Sequence, residues 1–239
     1  MNAAMNPETL ARLKRASTAT LTTQMFKRGL RNTWMRGVRP LAASGVTLVG
    51  PAFTLRTIPA REDLDRLETL ADPEHPQRKA IEVTPPGHVL VIDCRGVTDA
   101  AAAGDILVTR LARRGVAGLV CDGALRDAGP IAAMGFAAFC AGPAAPLSLC
   151  GHHAVALQEP IACGGVAVFP GDIIVGDADG VVVIPADLAD AVAADGAEQE
   201  ALERFVLGRI EAGAALRGTY PPDATVKAEF AAWRARGER

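Results

Sequence analysis

Gly104-Asp105-Ile106-Leu107, a helical run, and then Gly115-Val116-Ala117-Gly118-Leu119-Val120-Cys121-Asp122-Gly123-Ala124-Leu125-Arg126-Asp127 form the stretch around which this chain is organised. Upstream, Val89-Leu90-Val91-Ile92-Asp93 is a short apolar run ending in a charge, the pattern of a buried strand. A helix is expected over about residues 105–114. Its packed face would carry Ile106, Leu107, Thr109 and Leu111, and Gly115 would be its C′ residue. Residues 116–121 read as a second buried strand. If the two strands are parallel, the Gly104 loop and the Arg126-Asp127 turn both lie beyond strand C-termini, the edge where open α/β sheets place ligands. A helix N-terminus offering free amides would then face an arginine and a carboxylate. That arrangement suits a small acid held beside a metal ion.

Composition narrows the class. With 239 residues the chain is long enough for one sizeable core, and nothing demands a second domain. Hydrophobic residues make up 49% but aromatics only 4%, so the core is expected to be aliphatic. A net charge of −2 leaves no footprint for nucleic acid. The five cysteines (Cys94, Cys121, Cys140, Cys150, Cys163) are odd in number and lack a Cys-x-x-Cys spacing, so buried reduced thiols are expected. The start shows no signal-peptide pattern, and no apolar run reaches membrane-spanning length, so a soluble cytoplasmic protein is expected, with no membrane partner.

In chain order, helices are expected at residues 7–15, with Asn6 as N-cap, and at 18–28. Residues 45–50 and 52–56 read as two strands paired around Gly50-Pro51. Residues 59–86, rich in charge and proline, read as an exposed connection around a short helix near 64–70. Within it Arg61, with Arg56 just before it, either lines a mouth that attracts carboxylates or is ordinary surface charge. Beyond the central unit, a short helix spans 131–134 and a strand 136–140. Strands at 166–170 and 181–184 follow, with turns at Gly171-Asp172 and Asp177–Gly180. A long helical pattern covers 187–210, interrupted at Gly196, and another helix covers 223–236.

Gly104-x-x-Leu107, Gly115-Val116-Ala117-Gly118 and Asp122-Gly123-x-x-Arg126-Asp127 together resemble the RraA-like family. So do Ser17-Thr18-Ala19-Thr20, Met35-Arg36-Gly37-Val38-Arg39-Pro40-Leu41 and the run from Gly171 through Gly176-Asp177-Ala178-Asp179-Gly180 to Pro185. That family includes class II 4-hydroxy-4-methyl-2-oxoglutarate/4-carboxy-4-hydroxy-2-oxoadipate aldolases and the ribonuclease E inhibitor RraA. The resemblance implies a single α/β domain over residues 1–239, of the swivelling β/β/α kind. Its core would lie at about 17–186 and its helical extension at 187–239, and the chain would assemble as a homotrimer or homohexamer. It implies a pyruvate-releasing lyase with Mg²⁺ or Mn²⁺ on Asp127, Arg126 and the Gly104, Asp105, Ile106 and Leu107 amides on a 2-oxo acid, and Asp105 orienting water or relaying a proton. Oxaloacetate decarboxylation would share that site. Glu198, Glu200 or Glu203 would complete a neighbouring subunit's site, or form a solvated helix face. Thr22-Thr23-Gln24 stands where the family usually has a Ser/Thr-Asp pair.

Competing chemistries fare worse. The four lysines (Lys14, Lys27, Lys79, Lys227) leave none between residues 87 and 211, which disfavours a Schiff-base aldolase. Adjacent His152-His153 point apart on regular structure, and no Walker A or dinucleotide fingerprint occurs. Asp122 reads as a turn residue. Two readings remain beside the lyase: a regulator that binds a ribonuclease through its outer surface, and a lyase or dehydratase on sugar-derived 2-oxo acids. In the ribonuclease inhibitor the position matching Asp127 is not acidic, so its retention here leans toward catalysis.

Overall fold

The computed structural model describes residues 5–42, 45 and 47–237. Helices α1 (Pro7–Leu13) and α2 (Thr18–Lys27) lead into strands β1 (Arg39–Pro40) and β2 (Leu48–Pro59). A 3-10 turn (Leu67–Ala71), α3 (Pro76–Val83), β3 (Val89–Asp93), β4 (Ala101–Ala103) and α4 (Asp105–Arg113) come next. They are followed by β5 (Gly118–Cys121), β6 (Ala124–Leu125), α5 (Ala128–Ala133), β7 (Ala138–Cys140) and β8 (Gly142–Pro143). The chain continues through β9 (His152–Leu157), β10 (Ile161–Cys163), β11 (Val166–Val168), β12 (Ile173–Asp177) and β13 (Gly180–Ile184). It ends in α6 (Ala189–Glu211), a single turn α7 (Leu216–Thr219) and α8 (Ala224–Ala235).

The main sheet runs β1-β7-β5-β3-β2-β12-β13, with β9 also paired to β2. It nearly closes on itself. Trp34 bridges Val182, Met35 N donates to Val181 O, and five residues later β1 pairs with β7. Alternation along each strand sorts the side chains. Val89, Val91, Val120, Ile174, Val181 and Val183 point into the barrel with the fully buried Phe139. Their neighbours Leu90, Ile92, Leu119 and Cys121 point out against α3, α4 and α5. Gly176 is small because Phe139 fills the interior: a Cβ there would lie 2.9 Å from the ring. Val49, Val175, Val182 and Ile184 face α1, α2 and α6 instead.

The parallel strand–helix–strand unit is as expected. β3 pairs with β5 in parallel from Val89↔Gly118 to Ile92↔Cys121, and Gly115 (φ 74°) closes α4. Several expectations are corrected. Residues 48–59 form one strand, not two, because Gly50-Pro51 stays extended. The first part of β2 pairs with β12 and its last part with β9. Val46 lies outside the described residues. The buried face of α4 is Val108 and Leu111, with Leu107 beside them, whereas Ile106 is 79% exposed and Thr109 faces out. Residues 59–86 are more than a connection: α3 buries Gln77, Ala80 and Ile81. α6 passes through Gly196 without a break. The missing side chain lets α1 and α2 approach, since a Cβ would meet Leu21 Cδ2 at 3.4 Å and Ala16 Cβ at 3.7 Å. Four cysteines are buried as expected and Cys150 is exposed. Burial pushes the Cys140 thiol up to about 12, which keeps it protonated and unreactive.

The C-terminal helices pack on the body. α6 lies against α1 and α2, and α8 returns onto α6 through Phe205, Phe230 and Trp233, with ring centroids 5.6–5.9 Å apart. The three glutamates in question are all engaged within the chain. Glu198 pairs with Arg234, Glu203 accepts from Gln199, and Glu200 accepts from Ser17 N (2.8 Å) and Ser17 Oγ (2.9 Å). Burial opposes the charge of Glu200, but hydrogen bonds from Ser17 and Thr20 outweigh it and hold the carboxyl below its ordinary value. Ser17 is also the N-cap of α2, accepting from Thr20 N. Ser17→Ala removes a cap and a carboxylate partner together. It should lower the urea midpoint at unchanged m, corresponding to about 1–2 kcal/mol.

Candidate active site

Each of β3, β5 and β7 is followed by a short strand, and these three (β4, β6, β8) form a second parallel sheet beyond the first. This extension carries the site. β4 ends at Ala103 and hands over to Gly104, the N-cap of α4; β6 ends at Leu125 and hands over to Arg126 and Asp127, the N-cap of α5. Arg126 N donates to Ala103 O (3.0 Å), which pins the two corners together.

At that junction the expected residues converge. Arg126 Nε lies 3.3 Å from Asp127 Oδ2, with the two side chains 43% and 35% exposed. Asp105 N points at the same oxygen from 3.4 Å, and Ile106 N donates to Asp105 Oδ1 at 2.8 Å. Two amides of the first turn of α4 therefore already face carboxylates, as the positive end of a helix favours. Asp127 sits in the left-handed region (φ 57°, ψ 41°), which aspartate tolerates better than most residues and which turns its carboxylate toward Gly104. Gly104 has ordinary extended backbone, so its role is space. A Cβ there would lie 2.6 Å from Asp127 Oδ2 and 3.0 Å from Arg126 Cγ.

These residues share a cavity of about 470 Å³ with Ala101, Ala103 and Leu107. Its other wall comes largely from the 58–86 segment, which the sequence marks as able to reshape the pocket without showing which residues do so: Leu67 and Leu70 from the 3-10 turn, Gln77 and Arg78 from α3, with Leu147 and Ser148 beside them. The signal was present in His75-Pro76 as a helix start and in the spacing of Gln77, Ala80 and Ile81, but charge and proline around it masked the pattern. Gln77 Nε2 donates to Ala102 O (2.6 Å), anchoring α3 to β4. Behind it, Gln77 Oε1 and His75 Nδ1 are buried without a hydrogen-bond partner among the described residues.

Other candidates fall away from this cavity. Arg56 and Arg61 do not line it, and Arg61 pairs with Asp63 on the surface. Asp122 is a buried carboxylate rather than a simple turn residue. It accepts from Cys94 N (2.7 Å), Gly96 N (3.1 Å) and Gly164 N (3.2 Å), tying three loops together. Gln24 is buried and donates to Gln199 at 2.5 Å, a packing contact between α2 and α6. His152 is buried against Ala100 O while His153 reaches Asp65, so the adjacent histidines do point apart.

Among the described residues no three His, Cys, Asp or Glu side chains gather as a metal cage. The carboxylates at the cavity are Asp127 and Asp105. That set fits Mg²⁺ or Mn²⁺, hard ions that take one or two carboxylates and fill their remaining positions with water and substrate oxygens. It does not fit a zinc site, for which histidine or cysteine ligands are usual.

A family profile described as RraA-like, Aldolase/RraA, matches residues 18–183. A protein of Halalkalibacterium halodurans, provisionally named a 4-hydroxy-4-methyl-2-oxoglutarate aldolase, is 37% identical over 172 residues, 69% of this chain and 74% of that protein. The structure of Streptomyces coelicolor RraAS2, described as an unusual member of the RNase ES inhibitor RraA family, is 32% identical. It superimposes with a TM-score of 0.75 over 86% of this chain and 98% of that one. An uncharacterised protein of Pseudomonas syringae pv. tomato shares the fold, with a TM-score of 0.77 at 24% identity over 92% of this chain and all of that one. With a barrel-like sheet, flanking C-terminal helices and a profile match over most of its length, the chain belongs to the RraA-like family.

Proposed function

We propose that the protein is a divalent-metal-dependent C–C lyase that cleaves a 4-hydroxy-2-oxo acid to pyruvate and decarboxylates oxaloacetate at the same site. The observation that carries this reading is the convergence of Arg126, Asp127 and the N-terminus of α4 on one cavity. The provisional aldolase name of the 37%-identical relative supports it. Arg126 offers a planar guanidinium fork to the carboxylate of the acid, and the first turn of α4 adds its dipole, the Asp105 and Ile106 amides being turned to Asp127 and Asp105. Asp127, with Asp105 beside it, would hold Mg²⁺ or Mn²⁺, which supplies Lewis-acid stabilisation of the charge developing on the 2-oxo group. Retro-aldol cleavage removes the proton of the 4-hydroxyl and breaks the C3–C4 bond. The bonding pair goes into the enolate of pyruvate, and C3 is then protonated. A water held by the ion, or one oriented by Asp105, would move this proton. Decarboxylation of oxaloacetate yields the same enolate with CO₂ as the leaving group.

A trimer or hexamer belongs to the same proposal. Because Glu198, Glu200 and Glu203 are each bonded within their own chain, one of them would have to release its partner to serve a neighbour's site. Glu198, exposed in its pair with Arg234, gives up least.

Oxaloacetate decarboxylation with and without Mg²⁺ tests the proposal directly. Activity should disappear after exhaustive EDTA treatment and return with Mg²⁺ or Mn²⁺, and borohydride should trap no substrate. Full activity in the metal-stripped protein removes the metal mechanism. Failure on oxaloacetate and on every branched 4-hydroxy-2-oxo acid removes the lyase.

A further inference from the structure

Behind the Gln77 wall lies a second, much smaller pocket, lined by His75 and Gln77 at the start of α3, Thr57 of β2, Ser148, and His152 with Ala154 of β9. Gln77 and Ser148 border both spaces, so they form the partition between this pocket and the Arg126 cavity. Two polar atoms at the pocket, Gln77 Oε1 and His75 Nδ1, are buried without a hydrogen-bond partner among the described residues. Gln77 is only 6% exposed, and its amide has one permitted orientation. Nε2 donates to Ala102 O (2.6 Å), and turning the amide over would set two carbonyl oxygens against each other. Oε1 is therefore an acceptor that needs a donor, and a buried acceptor left unpaired bears its full desolvation cost.

The neighbouring side chains have their protons committed elsewhere. Thr57 Oγ1 donates to Asp93 O (2.7 Å). His152 Nδ1 lies 3.3 Å from Arg95 Nη2, which can only donate, so the ring proton is on Nε2, 3.1 Å from Ala100 O. Burial, and then the Arg78 guanidinium, hold His75 below its ordinary value, so its ring is neutral at pH 7. We propose that the pocket binds a single water molecule, which donates to Gln77 Oε1, bonds to His75 Nδ1 and thereby holds the α3 wall of the Arg126 cavity. The pocket leaves about 10 Å³ for the centre of a water molecule, enough for one. An anion would be repelled by the Gln77 oxygen, and an apolar molecule would leave both atoms unpaired. Among the described residues no three His, Cys, Asp or Glu side chains gather there for a metal ion. Water both donates and accepts, which is what this pair of atoms requires. Its influence reaches the larger cavity through β4: Gln77 grips Ala102, and the next carbonyl, Ala103 O, accepts from Arg126 N (3.0 Å). The water site owes nothing to the reaction, so it stands whether or not the protein is a lyase.

A crystal structure of the full chain is the first test. It should show one ordered water within hydrogen-bond distance of both Gln77 Oε1 and His75 Nδ1. A direct His75–Gln77 bond, or a pocket without ordered water, overturns the proposal. Hydrogen exchange then reads the hold on the wall. In His75→Leu the water loses one partner, and the amides of α3 should exchange about tenfold faster, the scale of one lost hydrogen bond. In His75→Asn a polar atom stays at nearly the place of Nδ1, so the crystal structure should keep the water and exchange should remain near wild type. Equal acceleration in both variants would mean that the ring acts by packing alone, and unchanged exchange in His75→Leu would mean that the water holds nothing. Either result removes the assigned role. If His75→Leu does not fold, the wild-type structure and His75→Asn still decide it, because a His75→Asn protein without the water contradicts the site.

Discussion

Asp127→Asn should abolish Mg²⁺-dependent oxaloacetate decarboxylation, by about a thousandfold or more (about 4 kcal/mol of transition-state stabilisation), while the melting temperature measured without metal stays close to wild type. Asparagine is the right replacement because of the backbone. Asp127 has φ 57°, a conformation that asparagine shares readily and alanine does not, so the exchange removes charge without adding strain. An amide oxygen in place of a carboxylate removes the formal charge that attracts a hard divalent ion. It also leaves Arg126 and the amide of Asp105 facing a neutral group. Calorimetry with Mn²⁺ should show the loss in affinity directly. The same variant separates an enzyme from a regulator: a protein that binds a ribonuclease through its outer surface should keep that binding in Asp127→Asn. Wild-type decarboxylation by the variant would show that Asp127 holds no ion needed for turnover.

The parts of this molecule that were legible in its sequence are those where local chemistry and long-range packing agree. β3, α4 and β5 read correctly because apolar runs, a helix of ordinary length and Gly115 as terminator all point the same way. The placement of Arg126 and Asp127 was legible because it follows from the end of a strand in a parallel sheet, and the structure puts them beside Gly104. The near-closure of the sheet was hidden, since it depends on a lone bridge at Trp34 and a two-residue strand, which leave no periodicity to detect. Ile106 illustrates the opposite error. An apolar residue in the first turn of a helix reads as core, but the helix starts at the cavity mouth and its early positions face outward. α3 was missed because its exposed face carries Arg78, Lys79 and Glu82, and this overwhelms the three buried positions. The wall with Arg78 was lost with it. Asp122, which reads as a turn residue directly before Gly123, gives no sign in the sequence that three distant amides meet on its carboxylate.

Gly104→Ala is the smallest change expected to disable the site, and it tests the geometry rather than the chemistry. The backbone at Gly104 (φ −122°, ψ −177°) is open to any residue, so alanine meets no conformational penalty and α4 should start where it does now. What it meets is the Asp127 carboxylate, 2.6 Å from the new methyl group, with Arg126 Cγ at 3.0 Å and Cδ at 3.3 Å. Carbon and oxygen cannot stay that close, and the methyl group is fixed to the backbone, so the carboxylate and the guanidinium stem must move. Reactive groups displaced by about 1 Å lose roughly a hundredfold in rate, and kcat/KM on oxaloacetate should fall by about that factor. Weaker Mn²⁺ binding should accompany the loss, because the displaced group is the proposed ligand. Urea unfolding should change little, as the cavity can take up the shifted side chains. A Gly104→Ala protein with wild-type turnover and metal affinity would mean that Asp127 and Arg126 need not sit where they do, and the proposed site would fall with that result.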